Sequence, residues 1–533
     1  MILFSKERER KDMIKVKTND EKLDVLVPRI QYFLSHDTVD FDIMGKKVHG
    51  YRSPDAPSLW IRDHSDMMRG AKYFDPDMKS AIEYFASMQN DEGWILDYVT
   101  MFPEKLPGER ENWIKHVRVP VEADVEYRFI KAIRIAWEVT GDDEWVYSLL
   151  PKMEKAINYI TTNEYRWDPK SQLVKRALTI DTWDFDYTAG RHDWLNFNFS
   201  PYTFWGIMHG DNSGYYEAIK TLAFFFEYFS NIEKANYYYE MAEGIKERAN
   251  ILCFNGRFYT HHVPITPRKI EGVDESLQLS LSNPMDINRG MATHDIAVSI
   301  IKEYQERLKN NKSFAEWYSI DPPYPKGIFG DEKIVEGAYC NGGIMPLVGG
   351  ELALAAFDHG FEKYGVETLY KYSDLTKDNE TYLWYFPDGT KSSIDNSTSP
   401  DALPTDGWGS SAMLMALVEG LIGIKENFKK YESVFLSPKL KSANIKNAEV
   451  MVEYESSSSR CGYNYEEKDD KLVIQMTSSH KEIKAHIYTE NKCKKVLVDG
   501  KEIQFNNVLI ENSNYVDFKL IDSSNSKIEL FYK

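Results

Sequence analysis

The sequence predicts a mainly α-helical domain followed by a small antiparallel β-domain. Apolar residues recur with the 3.6-residue period of a helix in successive segments up to about residue 430, and short alternating segments follow. The 12 Trp residues mark the same boundary, because all of them lie between Trp60 and Trp408. We therefore expect an N-terminal segment at 1–30, a helical domain at 31–430 and a β-sandwich-like accessory domain at 435–533.

The helical part consists of pairs of helices joined by short turns. In residues 121–139 the side chains of Val125, Phe129 and Trp137 follow the helical repeat, and Gly141 ends the segment. A second periodic segment begins at once, so the two form an αα-hairpin. The same unit recurs at 214–229 with 233–252 and at 349–361 with 365–375, and a last apolar helix occupies 410–424. Consecutive hairpins favour a bundle, a barrel or a solenoid, and none of these specifies a reaction.

The C-terminal part of the chain has a different pattern. After Pro438 short segments alternate between apolar and polar side chains, which is typical of strands with one buried face. Asp499 and Gly500, placed between two such segments, predict a hairpin turn. This region carries no recognisable chemistry, and we expect it to cap or brace the helical domain.

The composition excludes several classes of function. The chain has 533 residues, of which 42% are hydrophobic and 28% charged, so it can fold around a large core. Its net charge of −18 repels phosphate backbones, which argues against nucleic acid as a partner. A neutral or cationic small ligand, such as a carbohydrate, suits an acidic chain in which 14% of the residues are aromatic.

The N-terminus and the cysteines predict a cytoplasmic protein. The N-terminus becomes charged within a few residues and lacks the apolar stretch of a signal peptide. The 4 Cys residues are too far apart in sequence to suggest a zinc site, and we interpret them as reduced thiols. No segment reaches the ~18 apolar residues of a membrane span. We expect no membrane association, no cofactor and no metal, and the sequence leaves the oligomeric state open.

Long loops between the hairpins carry the candidate chemistry. Three stretches combine carboxylates with tryptophan, at 59–70, 179–191 and 379–389. Hydrolysis of a glycosidic bond needs one carboxylic acid to protonate the leaving oxygen and one carboxylate to activate water or to attack carbon. It also needs flat rings against which the C–H face of a sugar can pack. The alternative for each stretch is a tryptophan that simply belongs to the core.

The chain resembles the six-hairpin glycosidases over roughly residues 50–425. The resemblance rests on the successive hairpins, on the connector TGDDEWVYSLLPKMEKAINYI and on the stretch DTWDF. That stretch is similar to the S-G-W-D-F pattern of trehalases and to its counterpart in processing α-glucosidases. The resemblance implies an (α/α)6 barrel with a pocket at one end, and it implies that Asp184 is the general acid. Asp181 and Asp186 lie beside it and remain alternative acids.

The same resemblance implies a second carboxylate and a set of substrate-binding residues. Glu380, upstream of Gly407 and Trp408, matches the placement of the general base in those families. The stretch LWIRD resembles a sugar-binding loop in which Arg62 and Asp63 hold hydroxyls, the alternative being an ion pair at a helix entrance. Further substrate-binding candidates are Trp60, Glu122, Trp183, His209, Asp211, Trp384 and Trp408. For Asp211 the alternative is a helix cap.

These residues together predict an inverting, exo-acting glycoside hydrolase that cleaves a small α-glycoside or oligosaccharide. Burial beside tryptophan would keep Asp184 protonated, and Glu380 would activate water. Three alternatives stay open: a phosphorylase on the same barrel, an unsaturated-uronyl hydrolase and a non-catalytic carbohydrate-binding protein. Arg176 and Arg191, which flank Asp184, keep the uronyl hydrolase in consideration. The sequence does not indicate which sugar or which linkage is the substrate.

Overall fold

A computed structural model describes residues 13–43, 45–101, 114–183, 199, 201–329, 332–397, 401–477 and 479–532. Within these residues the α-helices are α1 (Glu21–Asp24), α2 (Leu26–His36), α3 (Ile61–Ala71), α4 (Ser80–Ser87), α5 (Val125–Thr140), α6 (Asp143–Thr162), α7 (His209–Tyr228), α8 (Ile232–Cys253), α9 (Ser282–Asn288), α10 (His294–Asn310), α11 (Pro346–Asp358), α12 (Glu362–Leu375) and α13 (Gly407–Met415). A π-helical turn, Ala416–Leu421, continues α13. None of the helices in the described part of the chain has the length and apolar character needed to cross a membrane.

Six of these helices form a closed ring. In the series α3, α5, α7, α9, α11 and α13 each helix contacts the next, and α13 contacts α3 again. Helices α6, α8, α10 and α12 each pack against the ring helix that precedes them, and α2 packs against α13. The ring helices are largely buried, as expected for helices covered by protein on more than one side.

The hairpin of α5 and α6 lies where the helical repeat predicts it. Gly141 takes up the left-handed conformation, with φ of 67°, that ends α5, and its N–H donates to the carbonyl oxygen of Trp137. Asp142 then caps α6, because its side chain accepts a hydrogen bond from the backbone N–H of Trp145. Two adjacent residues therefore end one helix and begin the next.

The strands belong to small sheets in the helical part and to two larger sheets in the C-terminal part. The strands of the described residues are β1 (Ile14–Lys17), β2 (Thr38–Ile43), β3 (Lys46–Tyr51), β4 (Leu59–Trp60), β5 (Tyr98–Met101), β6 (Ile114–Val117), β7 (Trp167–Asp168), β8 (Leu173–Ala177), β9 (Trp205–Ile207), β10 (Val263–Pro264), β11 (Leu279–Ser280), β12 (Ile320–Asp321), β13 (Ile424–Phe428), β14 (Ser433–Leu436), β15 (Asn447–Glu453), β16 (Arg460–Glu467), β17 (Lys471–Met476), β18 (Ser479–Thr489), β19 (Lys495–Val498), β20 (Lys501–Glu502), β21 (Asn506–Ile510), β22 (Ser513–Ser524) and β23 (Lys527–Phe531). One large sheet has the order β1-β15-β16-β17-β23-β19-β20, and the other has the order β13-β14-β18-β22-β21.

Two features of these sheets differ from the sequence prediction. Strand β14 pairs with β18 in parallel, whereas the prediction was an antiparallel domain. Strand β1 pairs with β15, so the N-terminal segment contributes an edge strand to the C-terminal sheet. The expected segment boundary at residue 30 also falls inside α2, whose apolar side chains are buried on both sides of that point. A four-residue strand that pairs with a partner more than 400 residues away leaves no local signal in the sequence.

The C-terminal sheets pack against one end of the helical ring. Ser513 and Tyr515 donate hydrogen bonds to Glu362 at the start of α12. At another point of the same end, Lys429 forms an ion pair with Asp143 at the start of α6. The outer helices begin at this end, so the ring helices begin at the opposite end. That opposite end carries the candidate site.

Candidate active site

Arg62, in the first turn of α3, joins three segments at the end of the ring where the ring helices begin. Its Nη1 lies 3.2 Å from Glu122 Oε2 and its Nε lies 3.4 Å from Asp97 Oδ1. Nη1 also donates a hydrogen bond to the carbonyl oxygen of Thr182. Both carboxylates are fully buried, and the arginine side chain is still partly accessible. The guanidinium therefore ties the connections that precede α5 and α7 to the start of α3.

A second arginine, Arg176 on β8, bridges two carboxylates. Its Nη2 lies 3.2 Å from Glu122 Oε2, and its Nη1 lies 3.1 Å from Asp211 Oδ1 in the first turn of α7. All three side chains are fully buried. Burial raises the pKa of Asp211 to about 6, although the charge of Arg176 opposes the rise. Asp211 thus serves as an ion-pair partner rather than as the cap that its position in the sequence suggested.

Aromatic rings lie beside this ion-pair network. The ring of Trp183 packs edge-to-face against Trp408, at 6.4 Å between centroids, and against Tyr339, at 5.4 Å. On the other side Trp60 lies against Tyr98 at 3.9 Å, with the Arg62 guanidinium above its face. Trp60 and Tyr339 remain partly accessible. The end of the ring therefore combines accessible ring faces with charged groups, as a sugar site requires.

Asp63 is an accessible carboxyl group among the described residues of this region. It follows Arg62 in the first turn of α3, is partly open to solvent, and accepts no hydrogen bond from any other residue of the described part of the chain. Burial raises the pKa of Asp63 to about 6, and the charge of Arg62 opposes the rise. A side chain that solvent can reach while the surrounding protein still raises its pKa belongs in a recess rather than on an open surface.

Two further aspartates lie within electrostatic reach of Asp63. Burial raises the pKa of Asp406 to about 7, although its carboxylate caps α13 by accepting from the N–H groups of Trp408 and Gly409. Burial also raises the pKa of Asp55 well above its usual range, and the charges of Asp406 and Asp63 add to the rise. These groups are buried, so Asp63 is the member of the set that a ligand can contact.

Three predicted site residues are engaged in other contacts, although one of them, Trp384, packs against Tyr339 of the cluster. Glu380 has a side chain that is 40% exposed, and its carboxylate forms an ion pair with Lys391 at 2.5 Å. That hydrogen bond and the lysine charge lower the pKa of Glu380.

The other two residues are fully buried. His209 lies between Asp286 and Ser280, and Trp384 lies beside Tyr339 and Phe386. No ligand therefore reaches either side chain in this structure.

The predicted acid Asp184 and its neighbour Asp186 lie outside the described residues, as does Arg191. The chain is described up to Trp183, whose ring lies in the cluster. The other alternative acid, Asp181, is fully buried and accepts hydrogen bonds from the hydroxyl and the backbone N–H of Ser282. Its own N–H donates to His261, so both its backbone and its side chain are held in place.

Sequence reasoning missed several groups of the cluster. Asp97 lies in the connection between α4 and α5, in a stretch without a recognisable motif. Asp66 accepts a hydrogen bond from the indole N–H of Trp408 in the cluster. It could have been found, because it follows Asp63 by three residues and so shares its face of α3. Tyr339 was not among the predicted site residues, because the stretch YCNGG around it has no catalytic motif.

The fold of the chain is shared with solved structures of glycoside hydrolases. An α-L-rhamnosidase from Dictyoglumus thermophilum matches with a TM-score of 0.59 and 11% identity, over 97% of this chain and 50% of that chain. A GH78 family rhamnosidase of Bacillus sp. GL1 matches with a TM-score of 0.58 and 13% identity, over 90% and 43%. A GH63 mannosylglycerate hydrolase from Thermus thermophilus matches with a TM-score of 0.50 and 13% identity, over 74% and 99%. The chain has the fold of these glycosidases.

This likeness extends to the fold and not to the whole length of every neighbour. The chain spans half or less of the two rhamnosidase chains. No protein-family model matches the sequence. No curated protein matches it either. The reaction and the substrate therefore have to be argued from the side chains of the site.

Proposed function

We propose that this protein is a glycoside hydrolase that removes one neutral sugar from the end of a small α-glycoside or oligosaccharide. We infer that the closed helical ring and its outer helices are an (α/α)6 barrel, with the substrate pocket at the end where the ring helices begin. The observation that carries the proposal is Asp63, an accessible carboxyl with a pKa of about 6 beside tryptophan rings. Glycoside hydrolysis needs a carboxyl group of this kind.

The charge of the site supports a neutral substrate. The buried side chains of Asp97, Glu122 and Asp211 already pair with the two arginines, so both guanidinium groups are engaged within the protein rather than held ready for an anionic group of a ligand. An unsaturated-uronyl hydrolase needs a cation for the uronate, and a phosphorylase needs one for phosphate. Neither alternative gains support from these contacts. Sugar hydroxyls, in contrast, are good partners for a region rich in carboxylates.

Two carboxyl groups would share the chemistry. Asp184 remains the proposed general acid, on its resemblance to the trehalase pattern and on its position next to Trp183. For the base we assign Asp63 rather than Glu380, because Asp63 is recessed beside Trp60 and Arg62 whereas Glu380 is exposed and paired with Lys391. With a pKa of about 6, Asp63 is ionised at neutral pH and can accept a proton from water.

The proposed stereochemistry is inversion at the anomeric carbon. An inverting enzyme holds its two carboxyl groups ~6.5–9.5 Å apart, which leaves room for the attacking water. The released sugar then appears first as the anomer opposite to that of the substrate. A retaining enzyme, with its carboxyl groups ~5–5.5 Å apart, would release the same anomer.

A substrate screen tests the proposal. We expect the wild-type protein to hydrolyse at least one member of a panel of α-linked disaccharides, aryl glycosides and glycosyl fluorides, and we expect NMR to show the inverted anomer first. The Asp184→Asn variant should lose at least a hundredfold in kcat while it keeps the melting temperature of the wild type. If the wild type binds sugars in calorimetry but cleaves no member of the panel, the protein is a carbohydrate-binding protein and the proposal fails.

A further inference from the structure

A series of aromatic rings leads away from Trp60 toward the surface. Trp60 stacks on Tyr98, and Tyr98 belongs to a small apolar cluster against which Phe199 also packs. Phe199 lies 4.7 Å from the ring of Trp205 and 5.0 Å from that of Tyr165, and the last two rings stack at 6.0 Å with 25° between their planes. We call Trp60, Phe199, Trp205 and Tyr165 the aromatic ridge, with Tyr98 buried beneath it.

The ridge is more exposed than a structural cluster requires. The Tyr165 side chain is 45% exposed, and Trp60, Phe199 and Trp205 are all partly accessible. The apolar cluster beneath, which includes Tyr98, already supplies the burial that holds the neighbouring strands together. Rings of this size that stay accessible next to one another are typical of a binding surface rather than of a core.

Polar groups border the ridge. The Nζ atom of Lys175 on β8 lies 5.2 Å above the ring of Trp205 on β9. The phenol hydroxyl of Tyr165 adds a donor and an acceptor at the outer end of the ridge. A ligand that fits must therefore present flat C–H surfaces to the rings and hydroxyls to their edges. Pyranose rings have both kinds of surface, whereas an apolar peptide or a lipid chain would leave the polar groups without partners.

We propose that the aromatic ridge binds the sugar units on the leaving-group side of the bond that is cleaved. This inference rests on the proposed function, since an exo-acting pocket holds one terminal sugar and the rest of the substrate has to lie outside it. The ridge begins at Trp60, which borders Arg62 in the candidate site, and Phe199 packs on the same apolar cluster as Trp60. It would make the protein prefer oligosaccharides over glycosides with small leaving groups.

Two substrates separate the ridge from the pocket. The first is the glycosyl fluoride of whichever sugar the wild type releases, whose leaving group cannot reach the ridge. The second is an oligosaccharide with the same terminal sugar and at least two further units. We expect Tyr165→Ala and Trp205→Ala each to raise KM for the oligosaccharide about three- to tenfold, because each variant loses one stacked ring. Both variants should leave kcat/KM for the fluoride unchanged.

Tyr147→Ala is the matched control. Tyr147 on α6 is 60% exposed and packs edge-to-face on Phe229 at 4.9 Å, outside the ridge. Its removal should change the kinetic constants for neither substrate. Melting temperatures would show whether each variant is folded. The inference is overturned if the wild type has the same KM for both substrates and the ridge variants have the KM of the wild type for the oligosaccharide. A rise in KM of the ridge variants that is confined to aryl glycosides would also overturn the inference, because the ridge would then bind a planar aromatic leaving group rather than sugar units. If the wild type hydrolyses neither substrate, the proposed function itself fails.

Discussion

The indole Nε1 of Trp408 donates a hydrogen bond to Asp66 Oδ2 over 2.9 Å, and this contact fixes a ring of the candidate site to helix α3. Asp66 is buried and also forms ion pairs with Arg128 and, at 3.1 Å, with Lys131. These cations lower the pKa of Asp66 despite its burial, so it remains an acceptor throughout the physiological range. Asp63, one turn earlier on α3, is thereby held in register with the Trp408 ring.

Replacing Trp408 by phenylalanine tests this relationship. The variant keeps an aromatic ring but loses the donor to Asp66, so the ring is free to rotate away from the sugar. We expect kcat/KM to fall about tenfold, mainly through KM, with a loss of stability of about 1–2 kcal/mol. Trp137→Phe is the matched control. Trp137 Nε1 donates a hydrogen bond of 2.8 Å to Asp143 Oδ1, and this contact lies outside the candidate site. Equal kinetic effects of the two substitutions would contradict the account.

Arg176 is predicted to be essential for the folded state. Arg176→Gln leaves Glu122 and Asp211 buried with less compensating charge, which costs about 3–5 kcal/mol of unfolding free energy. Urea denaturation measures this loss. Lys234→Gln serves as the control, because the Lys234–Glu154 pair is partly exposed and its removal should cost below about 1 kcal/mol. If both variants lose a similar free energy of unfolding, the buried bridge of Arg176 contributes no more to stability than a partly exposed ion pair, which contradicts the prediction.

Glu426 should make the stability of the protein fall with rising pH. Burial raises the pKa of Glu426 to about 9, although Tyr431 and Tyr454 donate hydrogen bonds to it. The folded state therefore holds this proton more tightly than the unfolded state, so stability declines as pH rises from about 5 through 9. We expect Glu426→Gln to remove part of this decline, by on the order of 3 kcal/mol at pH 7.

Melting temperatures between pH 5 and pH 9 measure this effect. The wild type should lose stability across the range more steeply than Glu426→Gln. Glu240→Gln, on the exposed face of α8, provides the control and should follow the wild type. Parallel curves for the wild type and Glu426→Gln would show that this carboxyl is ionised in the folded protein at neutral pH.

The helices of this protein could be predicted because their signals are local. The apolar repeat that ends at Trp137, the glycine at 141 and the cap at Asp142 all lie within a few residues of one another, and the structure has helix boundaries at these positions. The pairing of β1 with β15 and the packing of α2 against α13 join segments that are hundreds of residues apart. Such contacts depend on how the whole chain folds and leave no periodic signal.

The site was predictable where chemistry and local sequence coincide. The stretch LWIRD predicted Trp60, Arg62 and Asp63 as substrate-binding residues; the Arg62 guanidinium lies above the Trp60 ring, and the binding role of the three stays a prediction. Arg62 also pairs with Asp97, which no motif marks, because a guanidinium that is mostly removed from solvent needs several acceptors, and these come from loops distant in sequence. Glu380 was predicted because its placement upstream of Gly407 and Trp408 resembles that of the general base in trehalases and processing α-glucosidases, and such a placement does not reveal which way a side chain points.

The central claim is that Asp63 is the carboxylate that activates water. A comparison of kcat between the Asp63→Ala and Glu380→Gln variants tests this claim most directly. We predict that Asp63→Ala lowers kcat by about a hundredfold or more and regains activity with azide, whereas Glu380→Gln keeps wild-type turnover. In the wild type, kcat/KM should fall as pH drops below about 6, where Asp63 becomes protonated. Loss of turnover in Glu380→Gln together with full activity in Asp63→Ala would contradict the account.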